Sequence, residues 1–216
     1  MRLGIRLLFA FFLINGIAAF FVLRVFTAEI KPSVREVMED MMVDTANLLA
    51  ELASDDLAAG RLAQGDTDSA FARHVRNYVR RPIDAGIWGF AKQSLDYRIY
   101  VTDATGRVLF DSQGQAVGQD FSQWRDVART LRGEYGARMT REVPSDDTSG
   151  VMHVAAPVLV QGRILGVLTV AKPVRTVQRF IDRAERKVLM GGLVLLLLSA
   201  AVGVAVTLWM VWNVRR

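Results

Sequence analysis

The 216 residues carry a formal charge of +5, but Arg2, Arg6, Arg24, Arg215 and Arg216, all near the chain ends, supply the whole excess. Between Glu29 and Lys187 the 22 acids are matched by 22 lysines and arginines, which leaves no basic face for DNA or RNA, so no nucleic-acid partner is expected. Cysteine is absent, so disulfides, thiolate metal sites and cysteine nucleophiles are excluded, in keeping with a periplasmic location.

The chain opens with a short basic stretch, residues 1–6. The apolar run 7–26 follows, interrupted by Asn15, Gly16 and Arg24. Its length is at the lower limit for crossing hydrocarbon, and Arg24 can snorkel outward. A second apolar run, 188–212, makes an uncleaved anchor the expected reading of the first, rather than a signal peptide. Asn15 has two readings: a hydrogen bond across a dimer, or one to its own helix backbone. Trp209 and Trp212 fit an interfacial belt, and residues 213–216 begin a cytoplasmic linker. Arg2, Arg6, Arg215 and Arg216 place both short ends inside. The expected location is therefore a bacterial inner membrane crossed twice, with residues 27–187 outside as one periplasmic domain.

Within that domain, Pro32 suits the first turn of a long helix running from Ser33. Val34, Met38, Met41, Thr45, Leu48 and Leu52 recur at spacings of four and three, a heptad-like seam. The seam predicts packing on the domain together with some contact to a second copy. Residues 55–67 read as a loop, and 68–80 as a shorter helix capped by Asp68, with Phe71, Val75 and Tyr78 on one face. His74 lies there beside two arginines and reads as solvated. Residues 83–92 read as a connection anchored by Trp88 and Phe90.

The central stretch is Tyr97–Ser112, YRIYVTDATGRVLFDS. Tyr97, Ile99 and Val101 alternate with Arg98, Tyr100 and Thr102, the period of a strand with two unlike faces. Asp103 to Gly106 supplies the turn and Arg107–Phe110 the return strand. A third helix is expected from Ser122, its cap, with Trp124, Val127, Ala128 and Leu131 on the apolar face and Gly133 at its end. Residues 135–140 read as a strand. Val151–Val160 and Ile164–Lys172 form a second hairpin around Gln161-Gly162-Arg163, and Pro173 opens a last helix that runs into the second apolar run.

The fold class is therefore α+β: an antiparallel sheet with a long N-terminal helix, set between two membrane helices. No Ser–His–Asp set and no convergent pair of carboxylates is evident, so no catalytic residue is assigned and no metal site either. The candidate ligand-binding residues are Arg98, Tyr100 and His153. Arg98 and Tyr100 share a strand face, and His153 is expected on a neighbouring strand. Arg98 pairs an anion or, on the plainer reading, faces solvent. Asp103 and Asp111 read as turn residues, Trp88 and Trp124 as core.

RRPIDAGIWGF, YVTDATGRVLFDS, AVGQDFSQWRDVARTLRGEYGAR and VMHVAAPVL, in this order and spacing, resemble the sensor region of the CreC-type two-component histidine kinases. The resemblance runs from Met1 to Arg216 and implies a periplasmic PAS-like single-Cache (PDC) domain. It implies signal input through the second span to a cytoplasmic kinase, and a CreB-type response regulator reached through domains beyond this chain. ATP and Mg are implied only for that kinase domain, and no cofactor for this chain. His74 and His153 fall outside any His-box pattern and no Gly-rich nucleotide loop is present, so this polypeptide is not expected to be an enzyme. A homodimer, and an unknown periplasmic ligand or protein, are the other expected partners. Two readings compete: input to a chemoreceptor or diguanylate cyclase, and a non-signalling envelope protein that binds a partner.

Overall fold

The structure, a computed structural model, describes residues 2–25, 28, 31–62, 69–87, 90–141, 143–146 and 149–214. The chain divides into two compact units, one of residues 36–176 and one of residues 1–35 with 177–216.

The larger unit is built on a five-stranded antiparallel sheet. Its strands are β3 (Arg98–Asp103), β4 (Val108–Asp111), β5 (Gly136–Arg141), β6 (Gly150–Val160) and β7 (Arg163–Pro173), in the order β4-β3-β7-β6-β5. The stretch 97–112 thus lies toward one edge, and β7 is the middle strand. Turn chemistry sets both hairpins. Asp103 Oδ1 accepts from the backbone N–H groups of Thr105 at 2.8 Å and Arg107 at 3.0 Å, closing β3 onto β4. Gln161 and Gly162 both have positive φ, 49° and 76°, as a two-residue turn matching the strand twist requires. The two faces of β3 differ in chemistry as expected, but neither is open to solvent: Ile99, Tyr100, Val101 and Thr102 are all buried, because both faces of the sheet are covered.

Before the sheet come α2 (Lys31–Ala58), α3 (Ala70–Arg80) and a small hairpin, β1 (Ala85–Ile87) with β2 (Phe90–Lys92). The helix α2 continues to Ala58 through the start of the expected loop, and β1–β2 replaces the expected connection. The cap of α3 is Ser69, whose Oγ accepts from Ala72 N–H at 3.0 Å. Asp68 and Trp88 lie outside the described residues. On α2 the buried stripe is Met38, Met42, Ala46, Ala50, Ala53 and Leu57, while Met41, Leu48 and Leu52 of the expected seam stay exposed. Alanines allow close approach and large side chains do not, so the more hydrophobic stripe is the outer one. Phe71 of α3 meets Phe110 of β4 edge to face at 5.8 Å, which places α3 over the face carrying Ile99 and Val101.

The opposite face carries α4 (Arg125–Leu131). It starts three residues later than expected, and Ser122 does not cap it; Ser122 N–H donates instead to Asp120 Oδ1 at 2.8 Å. Tyr100, Val108, Phe121, Val127, Ala155 and Val167 form the core beneath it. A Cβ on Gly136 would run into the Asp126 carbonyl and Thr130 Oγ1, so this glycine lets α4 lie directly against β5.

In the smaller unit, α1 spans Arg2–Val25 and α5 begins in the larger unit at Arg175 and runs to Val214. Pro173 ends β7 rather than opening the helix. Among the described residues one segment, 180–209, has the length and hydropathy to cross a membrane, and the apolar part of α1, 9–25, is shorter. Asn15 Nδ2 donates to Phe11 O at 2.9 Å, the local reading of this residue, and its Oδ1 accepts from Ser199 Oγ of α5 at 3.4 Å.

Candidate functional site

The sheet register assembles a transverse row. Arg98 of β3 is paired with Ala171 of β7, Ala171 with His153 of β6, and His153 with Arg138 of β5. Residues paired across a sheet share a face, so the four side chains stand on the α4 side. One row further out run Pro173, Val151 and Thr140. The small Ala171 leaves a gap between Arg98 and His153. The gap opens into a cavity of about 360 Å³, walled also by Asp96, Gln113 and Trp124.

Each arginine is held from behind by a fully buried carboxylate. Arg98 donates to Asp111 through Nε at 3.0 Å and Nη2 at 2.8 Å. Asp111 also accepts from the N–H groups of Gln113, Gln115 and Ala116, which fixes the loop after β4. Burial pushes the Asp111 carboxyl upward. Arg98 and those N–H groups outweigh it, and the net shift is downward.

Arg138 donates through Nε to Asp126 Oδ1 at 2.6 Å. Asp126 lies in the first turn of α4, where a negative charge is favoured. Its Oδ2 accepts the Tyr100 hydroxyl in a short bond and the Thr169 hydroxyl at 3.3 Å. One carboxylate thereby ties α4 to β3, β5 and β7. Burial and the adjacent Asp126 charge push the Tyr100 phenol far upward, so it remains a donor.

His153 is 6% exposed and uses both ring nitrogens, Nδ1 to Arg138 Nη2 at 3.2 Å and Nε2 to Thr140 Oγ1 at 3.0 Å. A guanidinium only donates, so Nδ1 is the acceptor and Nε2 carries the proton. Burial, reinforced by the Arg138 charge, pushes the imidazole down to about 4, and the ring is neutral at pH 7. The Trp124 ring is covered on both sides. Phe121 stacks at 3.5 Å, and the Arg138 guanidinium lies 4.1 Å from its centroid.

Of the candidates read from the sequence, Arg98 and His153 stand in one cavity wall, one strand apart rather than on adjacent strands. Tyr100 is not in the wall. It is fully buried beneath it, with its ring against Phe121 and its hydroxyl on Asp126. Arg98 is neither free for an anion nor simply solvent-facing, since Asp111 engages it. Asp103 and Asp111 do hold turns, and Asp111 adds the ion pair. Trp124, expected in the core, is half-buried and borders the cavity. Sequence reasoning missed Arg138, Thr140 and Asp126. The first two alternate along β5 with the period of a strand, a readable signal. Asp126 interrupts an apolar helix face and gives none. Among the described residues no group of His, Cys, Asp and Glu is arranged to hold a metal.

No family model matches the chain. It is 44% identical over all 216 residues to the sensor protein CreC of Escherichia coli K12, and it spans 45% of that protein's length. Among solved structures it resembles the sensor domain of the V. cholerae histidine kinase DctB, at 17% identity and TM-score 0.47 over 73% of this chain and 55% of that one. It also resembles the E. coli DcuS sensor domain, at 18% identity and TM-score 0.44 over 68% of this chain and 98% of that one. From end to end, then, the chain is similar to a CreC-type sensor protein, of which it spans rather less than half.

Proposed function

We propose that this chain is the signal-input part of a CreC-like two-component sensor kinase, held in the inner membrane by two spans with residues 36–176 in the periplasm. Whole-length identity of 44% to a sensor protein carries the reading. The cavity beside Arg98, His153 and Arg138 is where a ligand is received. Two of its wall residues, Ala171 and Pro173, end β7, and α5 starts two residues later at Arg175 and continues to Val214. A guest that favours one of two positions of this strand end shifts the helix that leaves it, by as much as its affinities for the two states differ. In this reading the kinase, with its ATP and Mg, and the contact to a CreB-type response regulator belong to domains outside this chain. The chain itself relays and does not catalyse. A homodimer is part of the proposal: Val37, Met41, Leu48 and Leu52 leave an exposed apolar line along α2.

The test joins the chain to the cytoplasmic half of CreC and measures phosphate transfer to the response regulator in membranes. Thr140→Val and Gln113→Leu, which alter the cavity wall, are expected to change the signalling output at least threefold. Output that ignores both substitutions and tracks only the amount of protein removes the cavity from signalling.

A further inference from the structure

The cavity's charges suggest anion capture, yet every charged group in its wall already has a counter-ion inside the protein. Arg98 has Asp111 and Arg138 has Asp126, while Asp96 has Lys92 at 3.6 Å. His153 adds no charge at pH 7, and the sum is zero. An anionic guest would bring a charge with nothing unpaired to meet it, at the cost of its own hydration. The two guanidinium groups still offer donors: Nε and Nη2 of each are engaged, and among the described residues no partner meets Nη1. Gln113 and Asp96 add acceptors. The covered faces of Trp124 leave no aromatic plane for a ring to stack on.

Resting on the reading of this cavity as the ligand pocket, we propose that it takes an uncharged, polyhydroxylated small molecule of sugar or sugar-alcohol size. Arg98 and Arg138 then act as fixed hydrogen-bond donors and not as anion receptors. Hydroxyl groups both donate and accept, which matches a wall of mixed donors and acceptors with no spare charge. The small apolar surfaces of Ala171, Val151 and Pro173 accommodate the C–H faces of such a guest.

The experiment uses the full chain in lipid nanodiscs, with calorimetric titration at pH 7. D-Galactose, D-galactonate and galactarate share one skeleton and carry charges of 0, −1 and −2; sorbitol is the open-chain arm. Saturable binding of galactose or sorbitol is expected, about tenfold weaker for each added negative charge. Gln113→Leu is expected to remove that binding with thermal unfolding unchanged. Asp96→Asn, which leaves Lys92 without its partner, is expected to bring galactonate to within about twofold of galactose. Tighter binding of galactonate or galactarate than of galactose, removed by Gln113→Leu, overturns the neutral-ligand class and leaves the ligand pocket standing. No saturable binding of galactose or sorbitol at 10 mM also overturns it, and the kinase chimera then decides separately whether the cavity signals.

Discussion

The two faces of the sheet are closed by different means. On one, α2 and α3 cover Ile99, Val101 and Phe110 with hydrocarbon: Met42, Ala46, Phe71 and Val75 are buried there. On the other, α4 is fastened through Asp126, and the sheet beyond it keeps a cavity framed by Arg98–Asp111 and Arg138–Asp126. An apolar contact tolerates small shifts at little cost, whereas a buried carboxylate with three donors has essentially one arrangement. The face that keeps the cavity is thus also the face built with a sharply defined geometry. The apolar face supplies bulk stability that does not depend on that geometry.

Cutting each face tests this division. The largest loss is expected from Asp126→Ala. It strands the Arg138 guanidinium and the Tyr100 and Thr169 hydroxyls in the interior, at a cost of about 4 kcal/mol. Chemical unfolding of the chain in detergent measures it. A loss under about 1 kcal/mol would mean that α4 is held by its apolar contacts alone. On the other face, Phe71→Ala is expected to cost about 3 kcal/mol, for the lost ring and the space left against Phe110. That cost should be nearly the same at pH 4.5 and pH 7, because the two rings that meet carry no charge.

The polar face, in contrast, should feel acid. The folded-state pKa of His153 is pushed down to about 4, against about 6.5 when unfolded. Below pH 6.5 the unfolded chain takes up a proton that the folded chain refuses. Stability therefore falls as pH drops from 6.5 to 4 and levels off below, by about 3 kcal/mol in all. Asp111, whose pKa is shifted downward, adds its own loss from about pH 5 downward, so the difference between wild type and a variant without the ring isolates the imidazole. Unfolding midpoints of wild type and His153→Gln across that window check it. Parallel curves would show that the ring titrates as a solvated histidine does.

What was legible in the sequence was local. The Asp103 turn, the Gln161-Gly162 hairpin and the helix stop at Gly133 depend on neighbours within a few positions, and each lies where its residues place it. The cavity depends on register across four strands, Arg98 to Ala171 to His153 to Arg138, which no stretch of the chain displays. Period and hydrophobicity also misjudge exposure where packing is tight. On α2 the alanines went inward and Leu48 and Leu52 outward, and β3 alternates in chemistry while both its faces are covered. Asp126 was hidden because its justification is three partners from 12 to 43 residues away.

The smallest effect sharpens the comparison at a point where the apolar face borrows the polar face's method. Ser69 is fully buried at the start of α3. Its Oγ accepts from Ala72 N–H at 3.0 Å and donates to Asp56 Oδ2 at 2.7 Å, and Asp56 also accepts from Phe71 N–H at 2.8 Å. Together they join the end of α2 to the first turn of α3. Ser69→Ala removes a cap and leaves one donor unmet, a loss of about 1 kcal/mol. Ser69→Asp would keep an acceptor for the cap but set a second carboxylate beside Asp56, and it should do worse than alanine near pH 7. If Asp instead matches serine, the cap alone fixes this junction, and the link to Asp56 contributes nothing to holding α3 over the sheet.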